Sequence, residues 1–214
     1  MDFGFIITEG YHELEVNGRL LKRREFKRIT QISELNPYWK MNNFIPTSFP
    51  IDGDLMKRIP CPVFFENNNY SVALQSAGGI NQIKTIIDRD NFSSDVVGIG
   101  ILIDADFGNG GAIGQFNNLK RELESLIKFP DSPGKVLKKQ PNTGIFVFPD
   151  NVNEGTLENI LLKCAEQTYP DIYNGANDFV SNINIDILDQ DDKKDFTAPA
   201  GKNKSIVGGA LEML

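Results

Sequence analysis

Val96-Val-Gly-Ile-Gly-Ile-Leu-Ile-Asp-Ala-Asp106 decides the fold class of this 214-residue chain. Its first eight residues are Val, Ile, Leu and Gly, without the polar alternation of a strand that has one wet face, so it reads as a central strand buried on both faces. Two aspartates then close it. In an open α/β sheet the carboxyl end of a strand faces the crevice where ligands bind. Asp104 and Asp106, two apart, would point the same way if the strand ran through them, giving two hard oxygen ligands suited to Mg²⁺ or Mn²⁺. The alternative is a strand-end pair that caps a loop and a helix. The following Phe107-Gly-Asn-Gly-Gly-Ala is a permissive turn that lets a ligand approach the backbone.

Similar units flank this stretch. Phe3-Gly-Phe-Ile-Ile-Thr-Glu9-Gly10 reads as a strand ending in a carboxylate and a turn. Asn17-Gly18 between His12–Val16 and Arg19–Arg23 is a type I′ hairpin signal, and Phe26, Ile29, Ile32 and Leu35 at helical spacing, stopped by Pro37, predict a helix over Arg23–Leu35. Residues 36–62, with five prolines and scattered aromatics, read as an irregular insertion, its Tyr38, Trp39 and Phe44 forming a small packing cluster. Val63–Glu66 and Tyr70–Leu74 are β-like; Ile80, Ile83, Ile86 and Ile87 mark a helix, as do Leu119, Leu123, Leu126 and Ile127 within 116–129. Thr143–Phe148 is a further buried strand running into Pro149-Asp150-Asn151, and Leu157, Ile160 and Leu161 start another helix, with Glu158 favoured in its first turn by the helix dipole. Residues 170–187 predict a helix, the acidic run 186–195 an exposed loop, and 205–214 a last short helix. Strands alternating with helices imply a mostly parallel α/β sheet within a single domain over 1–214.

Composition narrows the function classes. The net charge of −7 weighs against generic coating of nucleic acid, although six of the 22 basic residues fall between Arg19 and Arg28, a patch that meets phosphates or is a solvated face. His12 is the sole histidine, which excludes a three-histidine metal site, and Cys61 and Cys164 lack zinc-ligand spacing. No apolar run is long enough to span a bilayer, and Asp2 stands where a signal peptide needs basic residues, so the expectation is a cytoplasmic protein without membrane contact.

Thr8-Glu9-Gly10-x-x-Glu13 and Ile103-Asp104-Ala105-Asp106 resemble the two signatures of the Toprim (topoisomerase/primase) domain. Gly78-Gly-Ile-Asn81, Gly98–Asp106, and Gly144–Asn151 with Gly155-Thr-Leu-Glu-Asn are similar to a group of uncharacterised bacterial Toprim-like proteins, over about 71–162. The resemblance implies a Toprim-like Rossmannoid three-layer sandwich with a mostly parallel central sheet and an N-terminal hairpin and irregular insertion. It implies Asp104 and Asp106 as ligands of Mg²⁺ or Mn²⁺, Asp150 and Asn151 as a further wall of the metal site, and Glu9, less favourably Glu13, as the general acid/base. If Glu9 only opens a hairpin, Glu66 is the substitute. The implied activity is phosphodiester or phosphoanhydride chemistry, with nuclease the leading form and a nucleic acid or nucleotide as substrate. The competing reading is a catalytically degenerate protein-binding or regulatory module; a homo-oligomer is compatible with either.

Overall fold

The computed structural model describes residues 1–42, 44–45, 53–57, 62–89, 95–108 and 110–212. In chain order these form β1 (Asp2–Thr8), α1 (Tyr11–Arg23), β2 (Lys27–Ile29), α2 (Pro37–Met41), β3 (Val63–Glu66), β4 (Tyr70–Ser76), α3 (Ile80–Arg89), β5 (Val96–Asp104), α4 (Gly111–Leu123), β6 (Val136–Leu137), β7 (Asn142–Phe148), α5 (Leu157–Thr168), α6 (Pro170–Ser181), α7 (Gln190–Thr197) and α8 (Gly201–Glu212). The strands make one seven-stranded sheet in the order β2-β3-β4-β1-β5-β7-β6. This is a mixed α/β fold. β1 pairs in parallel with β4 and β5, whereas β2/β3, β3/β4 and β6/β7 are antiparallel. The parallel expectation thus holds for the core of the sheet and fails at its edges, because the short connections β3–β4 and β6–β7 leave no room for a crossover helix.

Two compact units divide the chain: 1–103 with 116–147, and 104–115 with 148–214. In the first unit, Leu14 of α1 packs with Phe65, Val72 and Leu74, and Ile6 lies against that cluster. Phe5, pointing the opposite way on β1, meets Phe44, and Trp39 of α2 meets Phe64. Trp39 is fully buried and its Nε1–H donates to Ser71 Oγ at 2.7 Å, which satisfies the indole's one polar atom. The aromatic packing expected of 36–62 is therefore present, but that span is not wholly irregular: it contains α2 and a 3-10 turn at Leu55–Lys57, while residues 43, 46–52 and 58–61 lie outside the described residues. In the second unit, Ala176 and Val180 of α6 pack against Ile206 and Ala210 of α8, with Leu162 of α5 and Phe196 of α7 beside them.

The Asn17-Gly18 hairpin is not formed; both residues lie inside α1. Asn17 Nδ2–H donates to Glu13 O one turn back, and a Cβ on Gly18 would come within 2.9 Å of Phe65 Cζ. Close helix-to-sheet packing has overridden a local turn preference. The helix expected over Arg23–Leu35 is also absent. α1 ends at Arg23, Glu25 turns to φ 65°, and Lys27–Ile29 instead joins the sheet edge as β2, where Ile29 is buried. The acidic run 186–195 is likewise not a plain loop: a 3-10 turn covers Ile185–Ile187, and Asp189 accepts Asp192 N–H at 2.8 Å to cap α7. No helix among the described residues is long and apolar enough to cross a membrane.

Candidate functional site

Glu9 and Glu13 sit at the β1–α1 junction of the first unit. Glu9 N–H donates to Leu102 O of β5, and Glu9 O accepts Gly79 N–H from the Gly78-Gly79 turn that precedes α3. Its backbone is thereby held between two neighbouring connections at the carboxyl edge of the parallel core. Glu13, four residues on, is buried at 5% exposure and its Oε2 accepts Gly10 N–H at 2.8 Å. With Gly10 as a side-chain-free N-cap, the Glu13 carboxylate is the side-chain acceptor there and is occupied in starting α1. Glu66, the substitute acid/base, accepts Ser71 Oγ–H at 2.8 Å and ends the chain of hydrogen bonds from Trp39.

The aspartates belong to the second unit. β5 ends at Asp104, Ala105 N–H donates to Phe148 O, and Asp106 takes a left-handed φ of 56°. The strand does not continue through the pair, so the condition under which both carboxylates would share one direction is not met. Asp104, at 9% exposure, accepts Leu157 N–H at 2.9 Å. It thereby anchors the amino end of α5, where the positive end of the helix dipole favours a carboxylate. The capping alternative is realised, at a helix 53 residues away rather than at the next one. Asp106 forms an isolated antiparallel bridge with Gly155, and its Oδ2 accepts Gln115 Nε2–H at 3.2 Å. Burial raises its pKa above the ordinary carboxylate value and the Glu158 charge adds to this, against the opposing Lys204 charge and the Gln115 hydrogen bond. The turn after Asp106 needs its glycines: Gly110 and Gly111 have φ of 80° and 58°.

Asp150 and Asn151 are placed by β7 and the loop after it. Asp150 Oδ1 accepts Val152 and Asn153 N–H, and Oδ2 accepts Asn153 Nδ2–H at 2.6 Å. The Asn153 backbone bond chiefly, and its side-chain bond next, hold the Asp150 carboxyl below its ordinary value. This is a self-closed Asx turn. Asn151 sits at φ 67°, which completes the turn. Of the six candidates, the structure thus commits Glu13, Asp104 and Asp150 to backbone N–H groups. It surrounds Asp106 with Gln115, Glu158 and Lys204. Gln115 and Lys204 were not legible as site residues: Gln115 is one of several polar positions beside the apolar stripe of α4, and Lys204 lies 98 positions beyond Asp106 on a helix with nothing to mark it. Glu158 reads from its position only as a favourable first-turn acid, and it is buried at 2% exposure near Asp106. Among the described residues no three of His, Cys, Asp or Glu are grouped so as to hold a metal ion.

Residues 5–207 match the family described as "Protein of unknown function (DUF3226)". The chain belongs to DUF3226. A solved structure described as a hypothetical protein from Pyrococcus horikoshii OT3 is similar to this DUF3226 chain at 15% identity and a TM-score of 0.49, covering 100% of this chain and 90% of that one. Nothing among curated proteins matches it.

Proposed function

We propose that this DUF3226 chain performs divalent-metal-dependent hydrolysis of a phosphodiester or phosphoanhydride bond, with nuclease as the leading form and Asp106 as its principal metal-facing residue. The observation that carries the reading is the half-buried Asp106 carboxylate at the end of the central strand, whose charged form is disfavoured by burial. A carboxylate in that position gains from a cation, which offsets its desolvation. The donor set fits a hard cation in part: Asp106 supplies an oxygen, Asp104 is engaged at Leu157 N–H, and Asp150 is held by its own turn. Asp106 and Asp104 would hold Mg²⁺ or Mn²⁺, which when bound supplies Lewis-acid polarisation of a phosphoryl oxygen. Gln115 fixes the Asp106 carboxylate through its amide, and Lys204 brings a positive charge that can offset charge on a phosphoryl group. Glu9 remains the residue proposed to move a proton; Glu13 is withdrawn from that role because its carboxylate caps α1.

A second reading is favoured by two specific features. Lys204 already offsets the Asp106 charge, and Asp104 has a structural task at α5. On those grounds the chain would be a degenerate Toprim-like module whose strand-end acids are structural. Calorimetric titration of Mg²⁺ and Mn²⁺ into the wild type, Asp106→Asn and Asp104→Asn at neutral pH decides between the two. The enzyme reading expects binding in the wild type that Asp106→Asn removes, followed by metal-dependent cleavage of DNA, RNA or a nucleotide that Asp104→Asn abolishes while the protein stays folded, with a stability loss below about 1 kcal/mol. Absence of binding at millimolar metal leaves the module.

A further inference from the structure

We infer that the cavity between α1 and the β2–β3 edge is a phosphate-binding site, separate from the strand-end aspartates. The cavity, about 310 Å³, is lined by Arg19, Lys22 and Arg28 with Glu15 as its acid, over a floor that includes Val63 and Phe65. That volume is at the lower end of small-ligand sites. Three cations against one carboxylate stand out in a chain whose net charge is −7. Spacing explains how α1 builds the wall: Glu15, Arg19 and Lys22 recur at i, i+4 and i+7, one stripe of the helix, beside the Leu14 and Gly18 positions that seat it on Phe65. Arg28 comes from the other side. It is the cross-strand partner of Phe65 and so shares the sheet face that α1 covers.

Two ordinary explanations account for only part of this patch. Lys22 lies in the last turn of α1, where a cation favours the helix dipole, but Arg19 and Arg28 do not. A solvated face does not describe Arg28 either, since its side chain is only 18% exposed. Glu15 Oε1 approaches its Nη1 at 3.7 Å, longer than a hydrogen bond, and the buried Nε–H has no acceptor among the described residues. A guanidinium offers a fork of donors matched to the oxygens of a phosphate. The phosphate oxygens would accept from the Arg28 Nη groups, the Nε being buried, and Arg19 and Lys22, both exposed at the rim, would close over its charge. The floor presents no exposed aromatic ring, because Phe65 is 1% exposed and Gly18 lies against its ring. Recognition therefore rests on charge and on the phosphate group, in a free nucleotide or pyrophosphate or in a nucleic-acid backbone.

The test is calorimetry with pyrophosphate and with a single-stranded DNA 12-mer as separate probes, in EDTA so that failure of the metal reading does not touch the result. The proteins compared are the wild type, the rim variant Arg19→Gln/Lys22→Gln, Arg28→Gln and Glu15→Gln. Binding of either probe that weakens about tenfold in the rim variant, with an unchanged melting temperature, supports the site, and Glu15→Gln should tighten it several-fold. Binding of both probes assigns a free phosphate compound. If only the 12-mer binds, and its log affinity against log salt loses about one unit of slope per cation removed, the source is a nucleic-acid backbone. No binding of either probe to the wild type at millimolar concentration overturns the proposal. Equal affinity of the wild type and the rim variant also overturns it, and that outcome holds even if Arg28→Gln fails to fold.

Discussion

The β1–α1 junction and the end of β5 carry the same kind of signal, a buried strand running into acids and glycines, yet they use their carboxylates differently. At the first, Glu13 turns back three residues to Gly10 N–H, and the whole device lies within Gly10–Glu13. At the second, Asp104 reaches Leu157 N–H, 53 residues along the chain, while Asp106 bends out of the strand at φ 56° toward Gln115. A carboxylate at a strand end is claimed by whichever orphan N–H lies nearest. When that N–H is local the acid is a cap and little else. When it belongs to a distant helix the acid ties two parts of the chain together, and its neighbour is left in a half-buried place where charge is costly.

Substitutions can break this contrast, and the largest effect belongs to Asp104. Asp104→Ala leaves the amino end of α5 with a buried unsatisfied N–H and should cost about 2–3 kcal/mol in a urea-unfolding measurement. Asp104→Asn retains an acceptor for Leu157 N–H and should lose less than about 1 kcal/mol; an equal loss in both variants would mean that the charge, not the hydrogen bond, matters. Glu13→Ala removes the side-chain acceptor of Gly10 N–H at the start of α1 and should cost about 1 kcal/mol, with the loss confined to α1 in hydrogen exchange. Spread of the exchange to α5 would erase the distinction between a local and a long-range cap.

Smaller effects follow from the two shifted pKa values. Because the folded pKa of Asp106 is raised, its folded form prefers the proton: the stabilising contribution is full below the unfolded pKa and is lost as pH rises through the folded one. Asp106→Asn should therefore be at least as stable as the wild type at neutral pH and should flatten the stability profile on the alkaline side of the ordinary carboxylate range. A variant less stable at neutral pH would assign the Lys204 pairing more weight than burial. Asp150 has the opposite sign. Its folded pKa is lowered, so its contribution is full above the unfolded pKa and is lost as pH falls through the folded one. The group is almost wholly exposed, so Asp150→Asn should produce the smallest change of the set, visible only as a slightly weaker acid dependence in a pH series of thermal melts.

Much of the fold was legible from apolar pattern alone. The uncharged Val, Ile, Leu and Gly run of β5, the Ile80–Ile87 stripe of α3 and the Leu119–Leu123 pair of α4 give the same answer whatever surrounds them, since each must bury its apolar face in one period only. Segments with weak or conflicting local signals were misread. Asn17-Gly18 is a turn in isolation and a helix where Leu14 and Gly18 meet Phe65; Phe26 and Ile29 have helical spacing, and yet Ile29 enters a sheet edge with Lys27 and Arg28, because β3 offers hydrogen-bond partners there.

The candidate site divides along the same line. Residue types mark Glu9 as an acid just after β1 and Asp104 as an acid at the end of β5, and the structure has them at those points of the chain. Sequence by itself therefore determined the α/β class, the central strand and the positions at which carboxylates emerge. Tertiary structure alone decided what each carboxylate does: Asp104 on Leu157 N–H, Asp106 beside Gln115, Glu158 and Lys204, and Arg28 under α1. The physical reason is that period and propensity act over one or two turns of chain, whereas the partner of a buried charge is set by which distant backbone or side chain folding delivers to it.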